Sequence, residues 1–244
     1  MLANFWGFSE FYLHNPILLL VLLAHILADF QLQSQKMADL KVRRLPFLLL
    51  HLGIVFLPLL ILSLLFPANF FYFLLVWLSH VAIDFLKFHS NAFIQKKNFE
   101  KYAFLLDQVL HLLAIFVFYF LFAQKTAPAW LEDAASVVQA LVLFAAIGKP
   151  VNIVFKLFFS KYQSREDNQD TIAGAGAMIG RLERLIMGLS LILGQYASIG
   201  LVFTAKSIAR YNKISESQSF AEYYLIGSLF SLISVLVCYG LLYF

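Results

Sequence analysis

From Leu45 to Phe66 the chain passes without a single Lys, Arg, Asp or Glu, and comparable apolar runs cover Pro16–Gln33, Phe70–Phe88, Tyr102–Phe122 and Tyr224–Tyr243. Backbone amides in hydrocarbon have to be satisfied within the segment itself, and about 20 apolar residues of helix cross a bilayer core. Runs of this length therefore restrict the chain to membrane-spanning helices. A composition that is 61% hydrophobic and only 13% charged, with a mean hydropathy of +0.80, excludes a soluble globule. The expected fold is all-α: a polytopic transmembrane helical bundle of about six or seven spans. It forms a single integral membrane domain over 1–244, with a four-helix half at 16–122 and a C-terminal helical half at 134–244.

Charge sets the expected orientation. Lys36, Lys41, Arg43 and Arg44 follow the first run, and Lys87 at the end of the third run marks a basic stretch with Lys96, Lys97 and Lys101, whereas Glu132 and Asp133 follow the fourth. Under the positive-inside rule this gives four antiparallel helices with the N-terminus outside. The net charge of +4 is thus a loop footprint, so membrane lipids rather than nucleic acid are the expected partners. Cys238 is the only cysteine and excludes an intramolecular disulfide or a thiolate metal site. Met1–His14 carries no Lys or Arg, so the first span is expected to be retained rather than cleaved as a leader.

The second half is less regular. Ala134–Phe159 reads as a fifth span interrupted at Gly148-Lys149-Pro150, because Pro150 lacks the amide a continuous helix needs. The apolar stretch Leu185–Thr204 is basic at both ends, with Arg181 and Arg184 before it and Lys206, Arg210 and Lys213 after. A simple crossing is slightly preferred there over a segment that dips in and returns around Gly194–Gly200. The small-residue stretch from Ala173 to Gly180 lacks the Gly-Lys-Ser/Thr ending of a phosphate-cradling loop and is read as helix packing.

Ionisable residues inside the first four runs carry the functional signal. His25/Asp29, His80/Asp84 and Asp107/His111 are spaced four apart, which places each pair on one helix face, and His51 stands alone in the second run. Counted from the cytoplasmic ends, the three Asp fall at one depth and the three His one turn deeper; the reversed order of the third pair cancels the reversed direction of its helix. Groups of this kind at bilayer depth are costly and point to function. His25, Asp29, His51, His80, Asp84, Asp107 and His111 are therefore the expected ligands of a divalent metal centre. Seven N and O donors suit two ions with positions left for water or substrate; Zn is favoured, with Mn or Fe as alternatives. Gln31, Gln33 and Gln108 are candidates to orient the ligands. Arg181, Arg184, Lys206 and Arg210 are weaker candidates for gripping an anionic head group, the competing reading being topology charge.

The strings HILADFQLQS, HVAIDFLKFH, DQVLH, GRLERLIM, AKSIAR and EYYLIGSL together resemble a family of bacterial membrane proteins, that of domain of unknown function 3307 (DUF3307), across nearly the whole chain. The resemblance implies a bacterial inner-membrane protein, and a looser likeness to membrane-bound metal-dependent hydrolases accompanies it. The leading expectation is a membrane-embedded hydrolase with a dinuclear His/Asp centre near the cytoplasmic leaflet, acting on a phosphate-containing or lipid-linked substrate. A divalent-cation transporter and a metal-stabilised membrane scaffold are the alternatives, and a metal-free proton relay or a purely structural polar network would also use buried Asp and His.

Overall fold

In the computed structural model, which describes residues 7–163 and 174–244, every described secondary-structure element is helical. Five helical segments are long and apolar enough to cross a membrane: Leu45–Leu65, Pro67–Lys96, Glu100–Phe122, Ala135–Tyr162 and Gln218–Tyr243. A sixth is added if Pro16–Gln31 and Gln35–Lys41, bent by 93° at their junction, count as one broken span. The chain divides into two compact units, Glu10–Val142 and Leu143–Phe244 with Met1–Ser9, so the boundary falls inside a helix rather than in the expected loop between 122 and 134.

The first unit contains most of α1 (Phe8–Leu13), α2 (Pro16–Ile26), α3 (Gln35–Lys41), α4 (Leu45–Leu65), α5 (Phe70–Lys96), α6 (Glu100–Phe122), α7 (Ala129–Asp133) and most of α8 (Ala135–Ile147). Pro16 opens α2, where a missing amide hydrogen costs nothing. One π turn, Leu27–Gln31, follows α2 and ends with Leu32 N donating to Leu27 O at 2.8 Å. Ser34 then caps α3, its Oγ accepting from Met37 N at 3.2 Å. α5 runs on to Lys96, beyond the expected end at Phe88: the polar Lys87-Phe88-His89-Ser90-Asn91 stretch lowers hydropathy but contains no helix breaker.

Helix packing follows single buried stripes. α6 buries Asp107, His111, Ile115 and Tyr119, each one turn from the last, and α5 buries Tyr72, Phe73, Val76, His80 and Asp84. α4 presents Leu48, His51, Leu52, Val55, Leu59 and Leu62. The same faces that are apolar or aromatic in one half of the bundle thus become ionisable in the other. Side-chain to backbone bonds fix the relative heights: Tyr72 OH donates to Ile115 O at 3.4 Å, and Trp77 Nε1 donates to Leu52 O at 3.3 Å. At the far end Tyr119 OH donates to Asn15 Oδ1 at 2.6 Å, and Asn69 exchanges two bonds with the Gln124 backbone.

The second unit comprises the end of α8, α9 (Lys149–Phe159), α10 (Ala175–Ile192), α11 (Tyr196–Ala209), α12 (Tyr211–Glu216) and α13 (Gln218–Tyr243). The expected break lies at Gly148, where ψ is −116° and α8 gives way to α9. Buried Arg184 of α10 closes that break: Nε donates to Ile147 O at 2.6 Å, and one terminal nitrogen donates to Gly148 O at 3.1 Å and Asn152 Oδ1 at 2.5 Å. Its other terminal nitrogen reaches Ser231 Oγ at 3.2 Å on α13. The crossing expected over 185–204 is not one helix. Gly194, at φ +69°, ends α10 and turns the chain into α11, so the helix breaks within the Gly194–Gly200 stretch of the less favoured alternative.

Candidate metal centre

α2 with its π turn, α4, α5 and α6 bring all seven predicted His and Asp side chains into one layer, none more than 6% exposed. His51 Nε2 lies 3.3 Å from Asp29 Oδ1, 3.1 Å from Asp84 Oδ2 and 3.3 Å from His80 Nε2. His80 Nε2 lies 3.4 Å from Asp29 Oδ1, and the His80 and His111 rings stack with centroids 3.9 Å apart. His25 closes the layer, with its ring centroid 5.3 Å from that of His111. The stripes explain the convergence, because residues one turn apart on four packed helices meet at one height.

Three overlapping sets offer ligand atoms within 4.8 Å of one another: His25/Asp29/His80, His51/His80/Asp84 and Asp29/Asp107/His111. The last two sets share no residue. His25 Nε2, Asp29 Oδ1, Asp84 Oδ2, Asp107 Oδ1 and His111 Nε2 are buried and have no hydrogen-bond partner. These imidazole and carboxylate atoms lie close together without hydrogen-bond geometry between them. Buried polar atoms are normally paired, so this donor set fits a divalent cation of the kind that takes N and O ligands. Beside it, a cavity of about 10 Å³, room for roughly one water, is lined by His25, His80, Val21, Ala24, Val55, Leu59 and Val76.

Two lysines expected only as topology charges, Lys41 in a loop and Lys87 at the cytoplasmic end of the third span, belong to the layer. Lys41 Nζ, at the end of α3, donates to His51 Nε2 at 2.9 Å and lies 3.6 Å from Asp84 Oδ2. Lys87 Nζ pairs with Asp107 Oδ2 at 2.9 Å. Lys87 was legible, since His80, Asp84 and Lys87 share a helix face. Lys41 was not: the 93° bend before α3 carries it back over the site, and no spacing encodes such a bend. The expected orienting glutamines divide. Gln108 Nε2 donates to Asp29 Oδ2 at 3.0 Å and to Asp107 Oδ2 at 3.2 Å. Gln33 is buried near the end of the π turn, whereas Gln31 is exposed, because two residues beyond Asp29 the helix points the other way.

The head-group cations lie in the other unit. Arg184 is committed to the α8–α9 break, and Lys206 Nζ pairs with Glu183 Oε2 at 2.8 Å. Arg181 and Arg210 are partly exposed. Of the small-residue stretch, Ala173 lies outside the described residues, and Gly176 and Gly180 fall in the first turns of α10.

Fold and site together define a class: an all-helical protein with five or six apolar spans and a buried His/Asp/Lys layer between helices. Within that class the chain belongs to the family described as protein of unknown function (DUF3307), whose match covers residues 17–141. The matched stretch lies within the unit that carries the layer and stops short of GRLERLIM, AKSIAR and EYYLIGSL. No curated protein and no solved structure matches the chain.

Proposed function

We propose that the layer holds divalent metal, with Zn ahead of Mn or Fe, and that the protein is a membrane-embedded hydrolase acting on a phosphate-containing or lipid-linked substrate. Its setting on this reading is the cytoplasmic leaflet of a bacterial inner membrane, with the N-terminus outside. The observation that carries the proposal is the convergence, within one buried layer, of His25 Nε2, Asp29 Oδ1, Asp107 Oδ1 and His111 Nε2, four ligand atoms with no hydrogen-bond partner. Lys41 and Lys87 offset two of the three buried carboxylates, and the negative charge left over favours binding of a further cation over a purely structural network. A bound divalent ion supplies Lewis acidity and lowers the pKa of water. The chain's own residues would do the rest: Gln108 orients Asp29 and Asp107, and a carboxylate not engaged as a ligand accepts a proton.

The alternative of a cation transporter is less well supported. Beyond the imidazoles the buried stripes continue as Val55, Leu59, Val76 and Ile115, an apolar stretch with no relay of ligands toward Tyr72, Tyr119 and Asn69. The test is elemental analysis of the detergent-purified protein beside Asp107→Asn and His111→Ala. Metal in the wild type that is lost from both inserted variants supports the centre, and its absence after loading with Zn, Mn and Fe rejects it. Hydrolysis of phosphate esters by loaded protein, with no sustained Zn flux into vesicles, separates the hydrolase from the transporter and from a scaffold.

A further inference from the structure

The seven donors divide into two groups according to what already holds them. We infer, on the reading that the layer binds metal, that it takes one divalent ion at Asp29, Asp107 and His111, with His25 beside them, and that the Lys41 ammonium fills the place of a second.

Asp29 and Asp107 are held from behind by hydrogen bonds, whereas Asp84 faces Lys41; Asp29 Oδ1, 3.3 Å from His51 Nε2, lies where the two groups meet. Gln108 holds the Oδ2 atoms of both Asp29 and Asp107, and Lys87 also holds Asp107 Oδ2, so each carboxylate turns its other oxygen, Oδ1, inward with no hydrogen-bond partner. His25 Nε2 and His111 Nε2 are likewise unpartnered. That is the presentation of monodentate ligands around one cation, with the outer oxygens held from behind. On the other side the set His51/His80/Asp84 already faces a cation. Lys41 Nζ lies 2.9 Å from His51 Nε2, the ring atom an ion would need, and 3.6 Å from Asp84 Oδ2. An ammonium and a metal cannot both occupy that place.

Charge points the same way. Asp29, Asp84 and Asp107 against Lys41 and Lys87, with neutral imidazoles, leave a single negative charge. One divalent ion reverses this to a single positive charge, which one anionic group of a substrate would close. Two divalent ions would leave two positive charges with Lys41 displaced, or three with it in place, in low-dielectric surroundings, an unfavourable state for a buried site. The Lys41 position is built into the fold: Ser34 caps α3, α3 packs on α4, and Lys41 is 7% exposed at its end.

The experiment is metal per chain after saturation with Zn(II) and desalting, for the wild type, Lys41→Met, Lys41→Arg, Asp84→Asn and Asp107→Asn. The expected result is one ion in the wild type, in Lys41→Arg and in Asp84→Asn, about two in Lys41→Met, and none in Asp107→Asn. Two ions in the wild type would overturn the inference while leaving the metal centre standing, and no ion in the wild type would sink both. Should Lys41→Met fail to insert, the Asp84→Asn and Asp107→Asn pair still decides, because loss of the ion from Asp84→Asn contradicts a site built on Asp107. One ion in a well-inserted Lys41→Met removes Lys41 from the role of the second cation.

Discussion

Lys87 Nζ on α5 lies 2.9 Å from Asp107 Oδ2 on α6, so the two helices that pack along their full buried stripes are also joined by an ion pair at the height of the His/Asp layer. Asp107 is 4% exposed and the Lys87 side chain 18%, which makes the pair asymmetric: the carboxylate depends on its partner more than the ammonium does. The lysine stem reaches from the wetter end of the bundle and delivers charge inward.

Lys87→Met should accordingly leave Asp107 buried without its counter-ion and destabilise the unit by about 3 kcal/mol. Adding Asp107→Asn should cost much less than the sum of the single changes. Unfolding free energies from a double-mutant cycle in micelles would measure this. Additive effects would mean that the pair is geometric only.

His111 belongs to the set Asp29/Asp107/His111, whereas His51 belongs only to the set that Lys41 already engages. Zn affinity should therefore fall by at least tenfold in His111→Ala and by less than threefold in His51→Ala, a difference in binding free energy of about 0.7 kcal/mol or more. Competition with a fluorescent chelator reads both constants, and the reverse order would place His51 at the centre of the site.

Arg184 satisfies two backbone carbonyls at a helix break and reaches two further side chains through one planar fork. Arg184→Lys keeps the charge but not the geometry, and should cost about 2–4 kcal/mol. The check is the melting temperature in detergent together with the protease sensitivity of the 143–163 segment. A Lys variant that melts like the wild type would show that charge alone holds the break.

Gly194 sits at φ +69° with nothing within 4 Å of an added Cβ, so any cost of substitution there is conformational. Gly194→Ala should destabilise by about 1 kcal/mol and Gly194→Asn by less, since Asn visits the left-handed region more easily. Equal losses for both would point to packing instead.

The helical membrane fold was legible because hydrocarbon permits few backbone solutions, and the site because a period of four reports directly on a helix face. Pro150 announced the α8–α9 break through its missing amide. What escaped lies where chain direction changes. Lys41 reaches the layer only through a bend whose cause, the π turn and the Ser34 cap, leaves no periodic trace. The extension of α5 to Lys96 escaped because hydropathy reports where a helix leaves the apolar region and says nothing of where it ends. In 185–204 both chemistries were visible, an apolar run and a mid-run glycine, and the backbone requirement of Gly194 outweighed the hydropathy.

The π turn at Leu27–Gln31 sets the angular phase of everything between it and α3. A turn closed by five residues rather than four holds one more residue than an α-helical turn of the same height. Deleting a single residue here would let the helix regain its ordinary pitch, swing Asp29 roughly 100° off the layer and carry Lys41 away with it. Single-residue length changes in this stretch would then be far more damaging than most substitutions. Relatives that keep the layer should keep Asp29 and the number of residues between Leu27 and Ser34, even where the other identities in the stretch change.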